Sequence, residues 1–179
     1  ERDNVFLVPL DDERRWYRSH HLFADALRAR RDVDAANEVA ALHGRASHWF
    51  AEQGLITEAV RHAIASGDHE RTADLVELGL VDLRRRHENR MLREWLAAVP
   101  DDVARGRPLI ATHRAWARLT EGDLDGVEEW LQIAEAGLAA PTTTEPVADA
   151  LAAAARARDA EVSSLPAMIE IYRASIAQA

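Results

Sequence analysis

The feature that most constrains this chain is a recurring punctuation. Amphipathic apolar stripes at helical spacing are stopped again and again by a glycine. Val39, Leu42, Ala46, Trp49 and Phe50 form one stripe over 36–53, closed by Gly54. Ile56, Ala59, Val60, Ala63 and Ile64 form the next, closed by Gly67. Asp68 then stands where an N-cap belongs, before Ala73, Val76, Leu80 and Leu83. A glycine after a helix takes the left-handed conformation cheaply, and an Asp behind it can accept from the free N–H groups of the next helix. Helices joined by such short turns must lie antiparallel, and stacked pairs of them make helical arrays.

The pattern continues. Met91, Leu92, Trp95, Leu96 and Val99 are stopped by Pro100, and Pro108 fits the first turn of a helix carrying Leu109, Thr112, Trp116 and Leu119. Gly122-Asp123 repeats the Gly67-Asp68 device before Leu124, Val127, Leu131, Ala134 and Leu138. Pro141 to Pro146 reads as a loop, followed by an Ala-rich helix from about residue 147 to residue 162. Ser163-Ser164-Leu165-Pro166 reads as a break before a last helix with Met168, Ile169, Tyr172 and Ile176. The offsets after Gly122 match the second half of a TPR repeat. The first-helix half is poorly kept, since Arg114 and Arg118 fall where apolar residues are usual. The expected fold is all-α: a TPR-like helical-hairpin array, or α-solenoid, with an irregular helical bundle as the alternative.

The N-terminus differs. Val5 to Leu10, an Asp-rich turn and Arg15 to Arg18 read as a short β-hairpin, with an extended arm as the alternative. Ser19 reads as the N-cap of a helix through Leu22, Phe23, Ala26 and Leu27 to about Arg31, and Asp32-Val33-Asp34 marks a break. Residues 1–33 are thus expected to form one unit and 34–179 the helical repeat region, with a loop near 140–147.

Composition narrows the function. The net charge of -9 argues against nucleic-acid binding by this segment. There is no Cys, and every Lys or Arg position is Arg, which excludes thiolate metal sites and lysine chemistry. No stretch reaches the roughly 20 apolar residues that cross a bilayer, and the polar start does not read as a signal peptide, so a cytoplasmic location is expected. The chain lacks an initial Met and ends in helical rhythm, so it is read as a fragment.

Candidate chemistry is thin. His43 and His48 are five apart, wrong for one helix face, and His62 and His69 are separated by a turn, so no metal site is expected. The carboxylates lie scattered on polar faces, and no catalytic residue is assigned. The four later tryptophans, Trp49, Trp95, Trp116 and Trp130, read as packing residues. Arg84-Arg85-Arg86 reads as a solvated helix end that complements the helix dipole.

Longer strings carry a resemblance. Asn4 to Asp12, continuing through Trp16 to Arg28, resembles the end of the winged-helix domain in large LuxR-type regulators, the signal-transducing ATPases related to the maltose regulator. Ala46-Ser47-His48-Trp49-Phe50, Gly54 to Ala63 and Trp95 to Pro100 resemble the same family's sensor region. The resemblance implies a modular parent with an ATPase, a winged helix, a helical sensor array and a C-terminal helix-turn-helix. This chain would hold the end of the winged-helix domain and the start of the array. ATP or ADP and promoter DNA would be bound by other parts, and this segment would carry no cofactor of its own. Its partners would be the ATPase domain of the same chain and an inducer or partner protein on the array. Ser19-His20-His21-Leu22-Phe23 sits where related ATPases carry Met-His-Asp, which implies that His20 senses the nucleotide phosphates in the full-length parent. His21 replaces the Asp of that motif, and a pair of packed or solvated histidines is the plain alternative. A stand-alone TPR-like protein–protein adaptor is the competing function.

Overall fold

The computed structural model describes residues 7–9, 11, 17–19, 33–124, 126–139 and 149–178. It falls into two compact units, Glu1–Ala40 and Ala41–Ala179. In the first, β1 (Leu7–Pro9) and β2 (Tyr17–Ser19) pair antiparallel, with Leu7 opposite Ser19 and Pro9 opposite Tyr17. The helix expected after Ser19, His20 included, lies outside the described residues.

The other described elements are helical: α1 (Val33–Glu52), α2 (Ile56–Ser66), α3 (His69–Arg85), α4 (Asn89–Ala98), α5 (Asp101–Arg105), α6 (Pro108–Glu121), α7 (Val127–Leu138), a 3-10 turn (Asp149–Leu151) and α8 (Ala152–Ile176). The helix α1 begins at Val33, inside the expected break. Among the described residues no helix is long and apolar enough to cross a membrane.

The glycine stops behave as anticipated. Gly54, Gly67 and Gly122 all have φ near +75°, the left-handed region where a side chain is costly. At Gly54 the Leu55 amide returns to the Phe50 carbonyl at 2.9 Å, satisfying an end carbonyl of α1. Asp68 caps α3 by accepting from the Arg71 amide at 2.9 Å. The second Gly-Asp pair does not repeat this. The helix α7 starts only at Val127, and the Asp123 carboxylate instead accepts from the Arg118 guanidinium at 2.5 Å. A nearby strong donor has taken the oxygen that would have capped.

The core lies in the second unit and is centred on α3. Nine residues of this helix are buried, from Thr72 to Leu83. It packs on α2 and α4, while α6 packs on α7. Close approach is built into α3 at Gly79, where an added Cβ would meet the Trp95 ring at 2.6 Å and Ile56 at 2.8 Å. The buried line of α1 is not the expected stripe. Ser47 and Ala51 are buried, whereas Leu42 is 54% exposed and Trp49, edge-on to Phe50, is 45% exposed. The buried positions of α1 are small residues, and a pattern weighted by large apolar side chains misses them. Trp95 and Trp130 are buried and Trp116 is half-buried, as packing residues should be.

The expected break at Ser163 to Pro166 is absent. The helix α8 runs unbroken through Pro166. An internal proline costs a helix about 3 kcal/mol. Here Leu165 and Ile169, on either side of it, are both buried and hold the two halves in line. The helix packs on α3 and α6, so its contacts reach back past the hairpin just before it.

Candidate functional site

Three places in the second unit bring chemistry-bearing side chains together. The first is an open groove of about 430 Å³ between α4, α6 and α7. Its floor is fixed by Arg114, one of the arginines at a position usually apolar. Arg114 Nη2 donates to the carbonyls of Leu96, at 3.0 Å, and Val99, and Nη1 pairs with Asp101. These carbonyls close α4, where the helix dipole favours a cation. The guanidinium also lies 4.7 Å from the centre of the buried Trp130 ring, a cation–π contact. Arg114 therefore stitches α4, α6 and α7 together, which explains why a charge occupies a packing position.

Arg93 and Arg118 stand at the rim, each about two-fifths exposed, paired with Glu121 at 3.5 Å and Asp123 at 2.5 Å. Leu96, Val99, Pro100 and Ala117 supply apolar wall. Guanidinium groups stay protonated and donate hydrogen bonds in a planar fork, so they hold carboxylates and flat polar groups rather than move protons.

The second place is a histidine pair. His43 on α1 and His62 on α2 meet Nδ1 to Nδ1 at 2.8 Å, and the Phe50 ring stacks on His62 with centroids 5.2 Å apart. One nitrogen must donate and the other accept, so the pair shares a single proton on that side. Burial, then the neighbouring His43 and Arg61, push the His62 pKa down, against a smaller opposing pull from Glu58. The sequence spacing considered each histidine against others nearby in the chain. It could not show a meeting across the hairpin. Among the described residues no group of three or more His, Asp or Glu could hold a metal ion.

The third place is buried between α3, α6 and α8. His113 on α6 is fully buried, and its Nδ1 donates to the Leu109 carbonyl at 2.9 Å. Its Nε2 faces Glu161 Oε1 on α8 at 3.6 Å. Glu161 is held by Arg84 on α3, with contacts of 2.7 and 3.3 Å. Burial pushes the His113 pKa down to about 4, opposed by the Leu109 bond and helped by the Arg84 charge. Arg84 is thus an inter-helix tie, and only Arg85 and Arg86 of the arginine run are solvated. Nearby, Glu77 is buried deeply enough that its pKa rises, although Arg107 and Arg158 pull it down. Arg107 spans Glu70, Asp74 and Glu77 at 2.7, 2.5 and 3.4 Å. The carboxylates of Glu77 and Glu161 are therefore not on polar faces, as their scatter in the sequence had suggested. His20, the one residue singled out for a nucleotide, lies outside the described residues.

Comparison with known proteins adds two similarities. Residues 1–39 match the MalT winged helix domain. Over 119 residues the chain is 37% identical to the protein named serine/threonine-protein kinase PknK in Mycobacterium tuberculosis. The PknK of Mycobacterium bovis matches to the same extent. The match covers 66% of this chain and 11% of the length of those proteins. No solved structure matches. The chain is thus similar to a MalT-type winged-helix segment at its start and to PknK over the matched stretch, and in this it resembles the large MalT-like regulators.

Proposed function

We propose that this segment is the sensor-proximal regulatory module of a LuxR-type, ATP-dependent transcriptional regulator. In this reading α1–α8 are the start of a TPR-like array that receives an inducer or partner protein in the groove between α4, α6 and α7. The segment is not itself an enzyme. It works in the cytoplasm beside the ATPase domain of the same chain, which binds ATP or ADP, and a helix-turn-helix elsewhere contacts DNA. The observation that carries the reading is the groove floor, where Arg114 is fixed to two helix-end carbonyls and to Trp130. Such a preorganised polar and aromatic surface gives a ligand something to bind at little ordering cost. For binding to activate the parent, the ligand must favour the active state over the resting one.

The name of the relative adds one point. Parents that contain such a module can carry a kinase, but this chain has no lysine for a phosphate-gripping motif, so any phosphoryl transfer belongs to other segments.

The test is a transcription reporter driven by the full-length parent. Arg118→Glu together with Arg93→Glu should abolish the response to inducer and leave ADP binding intact. An unchanged response would sink the groove. For the implied nucleotide sensor, His20→Ala should raise basal activity or speed ADP release, and unchanged values of both would remove it. The competing adaptor reading is decided by the complete gene. A parent with neither a Walker motif upstream nor a helix-turn-helix downstream is an adaptor.

A further inference from the structure

We propose that the face of α3 and α6 occupied by α8 is a helix-binding groove, and that α8 is its displaceable occupant in cis. The competing ligand would be an amphipathic partner helix with a carboxylate, a leucine one turn later and an isoleucine one turn after that.

Four observations support this. First, α8 is thinly buried. Of its 25 residues only Glu161, Leu165 and Ile169 are buried, and its other packed positions, three of them alanines, are only partly buried. Second, those three buried residues sit at i, i+4 and i+8, the signature of a helix laid into a groove. Third, the polar anchor is imperfect. Glu161 is gripped by Arg84, yet His113 Nε2, 3.6 Å from Glu161 Oε1, is buried without a hydrogen-bond partner. The neutral imidazole carries its proton on Nδ1 and offers only an acceptor toward Glu161, so the seat of α8 leaves a buried polar atom unmet. Fourth, α8 reaches α3, with Arg84 touching both Glu161 and Met168. In a repeat array each unit contacts only its neighbours, so this contact is extra to the array. The residues joining α7 to α8 include Pro141, three threonines and Pro146, a composition poor in helix formers.

The groove selects by charge as well as shape. Arg84 and His113 are the groups that face the acidic position from α3 and α6. A helix with Lys or Arg at that position would be rejected.

The test uses a fluorescently labelled synthetic peptide of residues 149–178 and the full 179-residue chain. Leu165→Asp with Ile169→Asp in the chain should release its own α8. That variant should bind the peptide at least about tenfold more tightly than the wild-type chain, whose groove is already filled by a tethered competitor. The same peptide carrying Glu161→Arg should bind at least about tenfold more weakly. Equal binding by both chains, no binding by a variant that keeps the helicity of α1–α7, or indifference to Glu161→Arg would each overturn the proposal. Should the variant fail to fold, hydrogen exchange on the wild-type chain decides. Amides of α8 exchanging at least about tenfold faster than those of α3 support displacement, and one common rate overturns it.

Discussion

Helices α3 and α8 have similar jobs in a drawing and different ones in energy. The helix α3 buries nine of its 17 residues, and they are mostly Leu and Val. In α8 three of 25 are buried, and one of them is a glutamate. Each large buried aliphatic side chain contributes about 1.5–3 kcal/mol relative to exposure. By that measure α3 is the keel on which α2, α4, α6 and α8 are laid. The longer helix is held by two fully buried apolar anchors, several partly buried side chains, an ion pair and a rim of salt bridges. Length and helicity alone therefore say little about how firmly an element is attached. The number and kind of side chains it removes from water say more.

The largest blow to this comparison would come from Leu80→Ala. Leu80 is fully buried on α3. The loss should be about 2–5 kcal/mol of global stability by urea denaturation, with no change of slope. The matched change on α8, Leu165→Ala, should raise hydrogen exchange within α8 well before it lowers global stability. Equal global losses at the two sites would erase the distinction.

The next effect is a pH dependence at the α6–α8 seam. His113 has a folded pKa of about 4 against an ordinary 6.5. Above pH 6.5 it is neutral in both states and contributes no slope. Between 6.5 and 4 the unfolded chain takes up a proton that the folded chain refuses, so stability falls with pH, by on the order of 3 kcal/mol in total. The lowered His62 pKa acts in the same direction. The raised Glu77 pKa acts in the opposite one: its unfavourable burial is relieved as pH falls through its folded value. His113→Leu should flatten the decline between pH 6.5 and 4 relative to wild type, measured as the difference between the two urea midpoints across that range. Parallel curves would mean that His113 is not buried neutral.

What could be read in the sequence follows from what each signal depends on. The stops at Gly54, Gly67 and Gly122 depend on a local backbone need, positive φ, that one residue type meets, and all three were legible. The cap at Asp68 was legible too, while Asp123 was not, because Arg118 reaches it from the preceding helix. The line of α1 through Ser47 and Ala51 was hidden because small residues carry little weight in a hydrophobic pattern. The unbroken α8 was hidden because the local cost of Pro166 is outweighed by two buried anchors that only the fold supplies. The groove was half visible. Arg114 and Arg118 stood out as charges at packing positions, but the carbonyls and the ring that employ Arg114 come from α4 and α7. The His43–His62 and His113–Glu161 meetings join residues far apart in the chain, and no spacing rule reaches them.

A smaller effect is expected where α3 is most crowded. At Gly79 a methyl group would have to push aside the Trp95 ring and Ile56. Gly to Ala normally helps a helix by up to about 1 kcal/mol. Overpacking of a tight core costs about 1–3 kcal/mol, so the net change for Gly79→Ala should be destabilising and smaller than for Leu80→Ala. A stabilised variant would show that α3 and α4 are less tightly packed than the keel description requires.

The smallest effect should come from the rim of α8. Arg173 gathers Glu128, Glu135 and Glu170 at 3.1, 2.7 and 3.3 Å, linking α8 to α7. Its partners are all about half exposed to water or more, and pairs of that kind contribute little to stability. Arg173→Ala should therefore barely move the global urea midpoint. It should, however, speed exchange in the last turns of α8, and added salt should shrink the difference between variant and wild type, since screening weakens the same contacts. A global loss comparable to that of Leu80→Ala would mean that charge, not apolar burial, seats α8. The helix would then belong to the keel rather than to its detachable cover.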